Sequence, residues 1–257
     1  MEIPKITISG ANEHTDIKGL IALIRKYYHS SGIEIELGIQ VSPDKASYNS
    51  DRYQWLMELH KQAFYTNHTP IRVSLHVNPG WVEQICAGIF PLELINLIGF
   101  YGNGGGLDVE RIQLNFLIGR EQAPDMDKLY WVINSFNSRR FIFTYNDANR
   151  DFIHQFYKKY GRCFDLLVDS SHGEGKTPEK WEPPVFFDVF QGYSGGLSPD
   201  NIEQALDSIA GINAPDVWFG IDAEGKLKGD DGHLSLANAD EFVKKIQQWT
   251  MRNSNCK

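Results

Sequence analysis

One structural unit repeats along the chain, and this repetition limits the possible fold more than any other feature of the sequence. Each unit is a short β-rich run, then a loop, then an amphipathic helical stretch. The starts of the β runs are separated by roughly 22 to 40 residues, which is the spacing of βα units. The predicted strands span residues 5–9, 33–41, 71–78, 111–117, 140–145, 164–170, 185–191 and 217–220.

The helical stretches have recognisable start signals. Asp51 and Asp125 are good N-cap residues, and Pro199 follows Ser198 at the favoured first helical position. Eight alternating units predict a parallel sheet, and in 257 residues they fit a closed (βα)8 barrel better than an open sheet. We therefore expect one domain over residues 1–257. The predicted helices span residues 16–28, 51–64, 81–87, 91–99, 125–136, 149–160, 199–210 and 238–251.

Charge and cysteine usage exclude several classes of partner and site. The 25 lysines and arginines face 33 acidic residues, for a net charge of −8 without a basic run, so we expect no binding to nucleic acid or to a membrane. The chain also has no apolar stretch of membrane-spanning length. Three cysteines without a CxxC pair, and a start unlike a signal peptide, predict a cytoplasmic protein. We expect no metal, no cofactor, and a monomer or homodimer.

Two glycine-rich segments resemble phosphate loops only superficially. Residues 102–106 precede a predicted strand, which puts them on the barrel face opposite the active-site loops. The segment HGEGKT at 172–177 follows a strand, but the P-loop pattern requires glycine where Ser170 stands. Prolines also prevent a helix after this segment. We predict connecting loops and no nucleotide P-loop.

Alternation along the predicted strands separates an apolar set, which should pack on the helices, from a polar set inside the barrel. Active sites of this fold lie at the carboxyl ends of the strands. The deeper polar residues Glu36, Arg72 and Gln113 are expected to form a structural hydrogen-bonding layer. The candidates for function are the inward polar residues near those carboxyl ends, namely Gln40, His76, Asn115 and Asp169.

The last third of the chain carries the most specific sequence motifs. SGGLSPDNIEQALDSI at 194–209 is similar to the seventh unit of the phosphoribosylanthranilate isomerase family, whose pattern is close to A-GGL-x-P-x-N-V-x-x-A. DVWFGIDAEGKLKG at 216–229 resembles the eighth unit, and FDLLVDSSHGEGKTPEKWEPP at 164–184 resembles the sixth. IQLNF at 112–116 is similar to the IQLHG motif of that family. The opening KITISGANEHTD resembles the family's first unit. The resemblance implies a (βα)8 isomerase of tryptophan biosynthesis that acts on a phosphorylated sugar.

The chemistry of the last two units independently predicts a phosphate site. Gly195 and Gly196 allow the backbone to approach an anion closely, and Gly220, followed by Ile221, is expected to do the same after the eighth strand. Amides at the following helix N-terminus suit a phosphate dianion. We expect a small phosphorylated ligand between these two loops.

The chain departs from the family at three functional positions. The family's first-strand cysteine, its general base, is Ser9 here, and a serine hydroxyl is too weak an acid to replace it unaided. The family's arginine after the second strand is missing, since Ser42-Pro43 leads to Asp44. The histidine of IQLHG is Asn115. The resemblance implies that the family's general acid is retained as Asp169.

Three functional hypotheses follow. The first is a phosphosugar isomerase with Asp169 as acid and His76 as base, because the ordinary pKa of histidine lies near neutral pH. Asp222 is the reserve base. The second is a catalytically lapsed paralogue that binds a phosphorylated ligand. In either case we expect Gln40, Asn115, Ser9 and Asp222 among the residues that contact the ligand. The third is another phosphosugar lyase or epimerase on the same barrel.

Overall fold

In the computed structural model, the chain forms a closed barrel of parallel strands wrapped by helices, which confirms the predicted fold. The structure describes residues 4–65, 71–101, 107–116, 118, 123–169, 174–214 and 217–254. The strands follow each other around the barrel in chain order, and the first pairs with the last. They are β1 (Lys5–Ser9), β2 (Ile35–Val41), β3 (Ile71–Val77), β4 (Leu107–Leu114), β5 (Arg140–Tyr145), β6 (Asp165–Val168), β7 (Gln191–Ser194) and β8 (Phe219–Ala223).

In the described residues, at least one helix follows every strand except β6. Asp16 and Asp125 cap their helices by accepting hydrogen bonds from backbone amides two and three residues on. The helices in the described residues are α1 (Ile17–Ser31), α2 (Pro43–Ala46), α3 (Asp51–Tyr65), α4 (Trp81–Cys86), α5 (Leu92–Tyr101), α6 (Met126–Ser135), α7 (Arg150–Tyr160), α8 (Ile202–Ile212) and α9 (Leu236–Ser254), with a 3₁₀ turn at Gly225–Leu227.

The apolar core lies between the strands and the helices, as the alternation predicted. Leu37 and Ile39 of β2 and Val73 and Leu75 of β3 are fully buried on this outer side of the barrel. Polar side chains of the same strands face the interior. The register between β3 and β4 shifts after Val73. From there to their carboxyl ends, both strands place polar side chains in the barrel interior.

The seventh and eighth strands lie later in the chain than the sequence predicted. The apolar run 185–191 reads as a strand, but Phe186 stacks on Tyr157 of α7, with ring centroids 4.0 Å apart. This run therefore packs outside the barrel, where the sixth connection has no helix in its described part. The true strand, Gln191–Ser194, contains Gly192 and has weak β-propensity, so local sequence concealed it.

Several sequence features fall outside the described residues. These are the glycine run 102–106, Ser170, residues 172–173 of the HGEGKT segment, and Cys256. Within the described ranges, no helix is long and apolar enough to cross a membrane. The same ranges contain no group of three or more His, Cys, Asp or Glu side chains arranged to hold a metal ion.

Candidate functional site

The middle of the barrel is filled by a buried ion pair. Arg111 donates from Nε to both Glu36 carboxylate oxygens at 2.9 Å and from Nη2 to Thr7 at 2.9 Å. Burial by itself would raise the pKa of Glu36, but Arg111, Lys5 and the hydrogen bond from Thr7 hold it below its usual value. Glu36 is thus a permanent anion with satisfied partners, and it acts as a structural floor for what lies above it.

A cleft of about 490 Å³ opens above this floor, at the carboxyl ends of the strands. It brings together five of the candidates that the sequence singled out, from strands far apart in the chain: Gln40, His76, Asn115, Asp169 and Asp222. Gly195 and Gly196 also line it. The further lining side chains that the sequence analysis missed include Asn78, Asn146, Ser194, Glu224, Lys226 and Lys228.

Ser9, Asp222 and His76 meet at the bottom of the cleft. Ser9 Oγ donates to Asp222 Oδ1 at 2.6 Å, and His76 Nε2 lies 3.9 Å from Asp222 Oδ2. Burial raises the pKa of Asp222 to about 7, while the hydrogen bond from Ser9 acts in the opposite direction. Burial also lowers the pKa of His76 to about 4, against the attraction of Glu224 and Glu36. At neutral pH the imidazole is neutral, and the carboxyl is poised between its two protonation states.

Gly38 makes room for this cluster. It lies on β2 between Ser9 of β1 and Ser74 of β3. A Cβ at Gly38 would overlap Ser9 Oγ and would lie 2.7 Å from His76 Cε1. The sequence could have indicated this crowding, because a glycine among the inward-facing residues of a strand is typical of a site where other groups approach the backbone closely.

A row of side-chain amides forms one wall of the cleft. Gln113 Nε2 donates to Asn115 Oδ1 at 2.8 Å, and Asn115 Nδ2 donates to Asn78 Oδ1 at 3.0 Å. Asn78 and Asn115 each follow directly after a strand, and the Asn115 backbone amide bonds the Val77 carbonyl at 3.0 Å. The ladder between β3 and β4 therefore fixes the spacing of the amides.

Asp169 directly follows β6, and its backbone amide bonds the Tyr145 carbonyl at 3.0 Å. Its half-buried side chain reaches the cleft beside Gly195. A Cβ at Gly195 would lie 3.8 Å from Asp169 Oδ1. The chain thus brings this carboxylate to the same side of the cleft as the turn after β7.

The glycine pair after β7 has a structural role that the sequence analysis did not foresee. Gly195 and Gly196 have φ angles of 116° and 59°, which favour glycine. A Cβ at Gly196 would overlap the Thr177 backbone, and one at Gly195 would lie 2.9 Å from the Lys176 carbonyl. The segment after β6 therefore packs directly on these glycines.

Gly220 and Ile221 lie within β8, and the expectation that they follow the last strand is wrong. Gly220 faces the interior, where a Cβ would lie 3.0 Å from the Phe190 ring, and Ile221 is buried in the outer core. Since β8 runs on to Ala223, the loop that reaches the cleft carries Glu224, Gly225 and Lys226 instead.

Charged side chains surround the mouth of the cleft. Gln40 donates to Glu224 at 3.3 Å and accepts from Lys45 at 3.0 Å, while Lys228 lies 3.2 Å from Glu224. Arg52, the first arginine after β2, forms an ion pair with Glu13 and donates to the Gln40 carbonyl at 2.8 Å. Arg52 therefore fixes the end of β2 and does not replace the missing substrate arginine of the isomerase family.

A larger cavity, of about 730 Å³, lies at the opposite end of the barrel. Most of its charged side chains are paired, including Arg140 with Asp165 at 2.5 Å and Lys5 with Glu110 at 3.1 Å. Charged side chains that already form ion pairs with each other have few hydrogen-bonding groups available to orient a ligand. We assign the functional site to the smaller cleft, at the end where barrels of this kind carry out their chemistry.

Comparisons with known proteins find likeness at the level of structure. No protein-family model matches the chain, and no curated protein matches its sequence significantly. The structure described as spore coat polysaccharide biosynthesis protein E from Chromobacterium violaceum superimposes with a TM-score of 0.57 at 14% identity, over 97% of this chain and 75% of that one. Two tryptophan synthase α-chain structures from Legionella pneumophila give TM-scores of 0.50 and 0.51 at 12% and 11% identity. They match over 96% of this chain and over 91% and 92% of theirs.

This likeness establishes the barrel fold alone. At such identities, no residue role passes from those proteins to this chain. The chemistry of the cleft is determined by its own side chains.

Proposed function

We propose that the cleft binds a phosphorylated sugar and that the protein catalyses an isomerisation that begins with removal of a proton beside a carbonyl group. The observation that carries this proposal is the buried Asp222 carboxyl at the bottom of the cleft. Its pKa, raised by burial to about 7, matches the requirement for a general base at neutral pH.

Asp222 takes the role of base that the sequence analysis gave first to His76. The pKa of His76, lowered by burial to about 4, makes the imidazole a weak base. Asp222 instead lines the cleft, with Oδ1 held by Ser9 and Oδ2 at 3.9 Å from His76 Nε2. In the proposed step, Asp222 takes the proton from the carbon next to the carbonyl, and the C–H electron pair forms the double bond of an enediol.

The carbonyl oxygen must gain a proton in the same step. Asp169 is the proposed acid, because it reaches the cleft from the neighbouring side of the barrel and matches the acid of the resembled family. The neutral His76 ring is proposed to hold the substrate oxygen nearest Asp222. Its Nε2 is buried and has no hydrogen-bond partner among the described residues.

Ser9 is proposed to set the pKa of the base and not to be a base. Its hydroxyl donates to Asp222, and a donor favours the ionised carboxylate. A serine in place of the family's cysteine is then compatible with activity, because the base is on β8 and not on β1.

The phosphate group is proposed to lie between the turn after β7 and the loop after β8. Gly195 and Gly196 line one side of the cleft there, and Lys226 and Lys228 line the other. Two ammonium groups suit a dianion, whereas the Asp222 carboxylate at the bottom of the cleft would repel it. The phosphate therefore orients the sugar with its carbonyl end toward Asp222.

The test is exchange of substrate hydrogen with solvent. We expect the protein to place deuterium from D₂O on C2 of a sugar phosphate. In a panel of ribose 5-phosphate, glucose 6-phosphate and phosphoribosylanthranilate, this carbon lies beside the aldehyde of the first two and beside the imine of the ring-opened third. Asp222→Asn should lower the exchange rate at least about 100-fold, since a general base contributes roughly 10²–10⁴-fold. Asp151→Asn, at an exposed helical position, is the matched control.

The pH profile adds a second readout. Because the base must be ionised, exchange should fall as pH drops through about 7, the folded pKa of Asp222. Ser9→Ala removes the donor and should move this fall to higher pH. Exchange that survives in Asp222→Asn would refute the assignment of the base. Phosphate-dependent binding without exchange of any substrate would place the protein in the ligand-binding class instead.

A further inference from the structure

We infer that the amide row Gln113–Asn115–Asn78 reads the hydroxyl groups of an open polyol chain, and that the substrate carries no aryl group. This inference rests on the proposed function and specifies the substrate class of the same cleft. It departs from the resembled family, whose substrate is an anthranilate derivative.

The hydrogen bonds within the row determine what it offers a ligand. Gln113 uses its nitrogen and Asn78 uses its oxygen, so Gln113 Oε1 remains to accept and Asn78 Nδ2 remains to donate. Asn115 donates through one of its two N–H groups and keeps the other. The row therefore presents both donors and acceptors along one wall. A hydroxyl needs this combination, because it donates one hydrogen bond while accepting others.

Further polar side chains extend the row. Asn146 is 5% exposed and lines the cleft, and its Oδ1 accepts from the Ala148 and Asn149 amides at 3.1 Å. The Asn146 side-chain nitrogen is then the group left for a ligand. Thr144 and Ser194 contribute hydroxyls to the same lining.

An aryl group has no matching surface in the described part of the cleft. Phe116 is the one aromatic side chain among the described lining residues, apart from the His76 imidazole. Only 3% of Phe116 is exposed, and its ring contacts Phe143 and Phe152 edge-on at 5.5 and 5.7 Å. Its ring is therefore packed in the core. An aryl substituent would instead have to displace water from amides and carboxylates without replacing their hydrogen bonds.

A matched pair of ligands tests the inference without turnover. Ribitol 5-phosphate has the polyol and phosphate but no carbonyl. N-phenyl-1-amino-1-deoxyribitol 5-phosphate keeps the other hydroxyls and carries an aryl group on an amine in place of the C1 hydroxyl. Titration calorimetry on the wild type should show that ribitol 5-phosphate binds and that the aryl group gives no gain in affinity. Inorganic phosphate alone should bind more weakly than ribitol 5-phosphate.

Variants of the row should weaken the polyol specifically. We expect Gln113→Leu and Asn115→Leu each to lower the affinity for ribitol 5-phosphate about tenfold, with little effect on inorganic phosphate. Asn115→Asp keeps the shape and replaces N–H donors by an acceptor, so it should also weaken binding. Asn134→Leu, at an exposed position on α6, is the control.

The outcomes separate this inference from the proposed function. A tenfold or larger gain in affinity from the aryl group, affinity unchanged in all three row variants, or no ribitol 5-phosphate binding at all would overturn the polyol assignment. Polyol binding through the row without hydrogen exchange would leave the inference standing and remove the proposed catalysis. Hydrogen exchange on phosphoribosylanthranilate and on no other sugar phosphate would support the proposed catalysis and overturn the polyol assignment.

Discussion

Asp222 and His76 lie side by side in the barrel, and burial changes their pKa values in opposite directions. Loss of water disfavours the charged form of each group, so the pKa of the carboxyl rises to about 7 and that of the imidazole falls to about 4. Both groups are therefore uncharged over much of the range between these values. This is why the pair remains in the interior without the strong ion pair that Glu36 and Arg111 form below it.

Asp222→Asn should make protein stability less dependent on pH. A carboxyl whose pKa is about 7 when folded and 3.8 ordinarily contributes stability that is fully present below about pH 3.8 and is lost as pH rises through about 7. The wild type should thus lose up to about 4 kcal/mol relative to the variant between pH 4 and pH 8, since one pKa unit is about 1.4 kcal/mol. Urea unfolding at both pH values measures this difference. His76 titrates in both proteins, so its contribution largely cancels.

A constant difference between Asp222→Asn and the wild type across this range would mean that the carboxyl keeps its ordinary pKa. The assignment of the base would then lose its support. Asp151→Asn, at an exposed helical position, is the control variant.

At the level of the structural element, the turn after β7 is shaped by its contact with the segment after β6. Thr177 Oγ1 and Asn201 Nδ2 both donate to the Gly196 carbonyl, at 3.2 and 2.9 Å. Asn201 also accepts from the Ser198 amide at 2.8 Å. One helix-start asparagine therefore ties the turn to the segment, and the two glycines allow the close approach.

Gly196→Ala should loosen the segment 174–178. The residue has a φ of 59°, and the added methyl group would overlap the Thr177 backbone. We expect a loss of about 1–3 kcal/mol in the free energy of unfolding, as for other overpacked sites. Amide hydrogen exchange within 174–178 should become faster. Gly211→Ala is the control, because a Cβ there meets nothing within 4 Å and alanine favours the helix. Unchanged exchange in Gly196→Ala would show that the glycines are not needed for this contact.

At the level of the whole molecule, the closed sheet joins the two ends of the chain. Lys5 to Ile8 of β1 pair with Gly220 to Ala223 of β8, and the Ser9–Asp222 hydrogen bond crosses the same seam. Each half of the barrel therefore depends on strands of the other half for its hydrogen bonds.

We predict a single cooperative unfolding transition and no stable half-barrel. Circular dichroism and tryptophan fluorescence should report the same urea midpoint. Limited proteolysis that released an independently folding fragment of about 100 residues would contradict the assignment of one domain to residues 1–257. Two separated midpoints would contradict it as well.

The sequence by itself determined the barrel and the set of polar residues that face its interior. Repetition of βα units and strict alternation are local properties, so the sequence alone places Gln40, His76, Asn115 and Asp169 near the strand ends. The positions of β7 and β8, which lie later in the chain than expected, could not be predicted from the sequence. A run such as 185–191 has the same pattern whether it pairs in a sheet or packs outside one.

Only the tertiary structure distinguishes the pKa values of the two candidate bases. Asp222 and His76 differ in pKa because of burial, and burial depends on how strands distant in the chain close over them. The covering of Gly195 and Gly196 by Thr177 and Lys176 is likewise a contact between separate units. The sequence shows which polar residues are present at these positions. Their protonation and accessibility arise when the barrel excludes water around them.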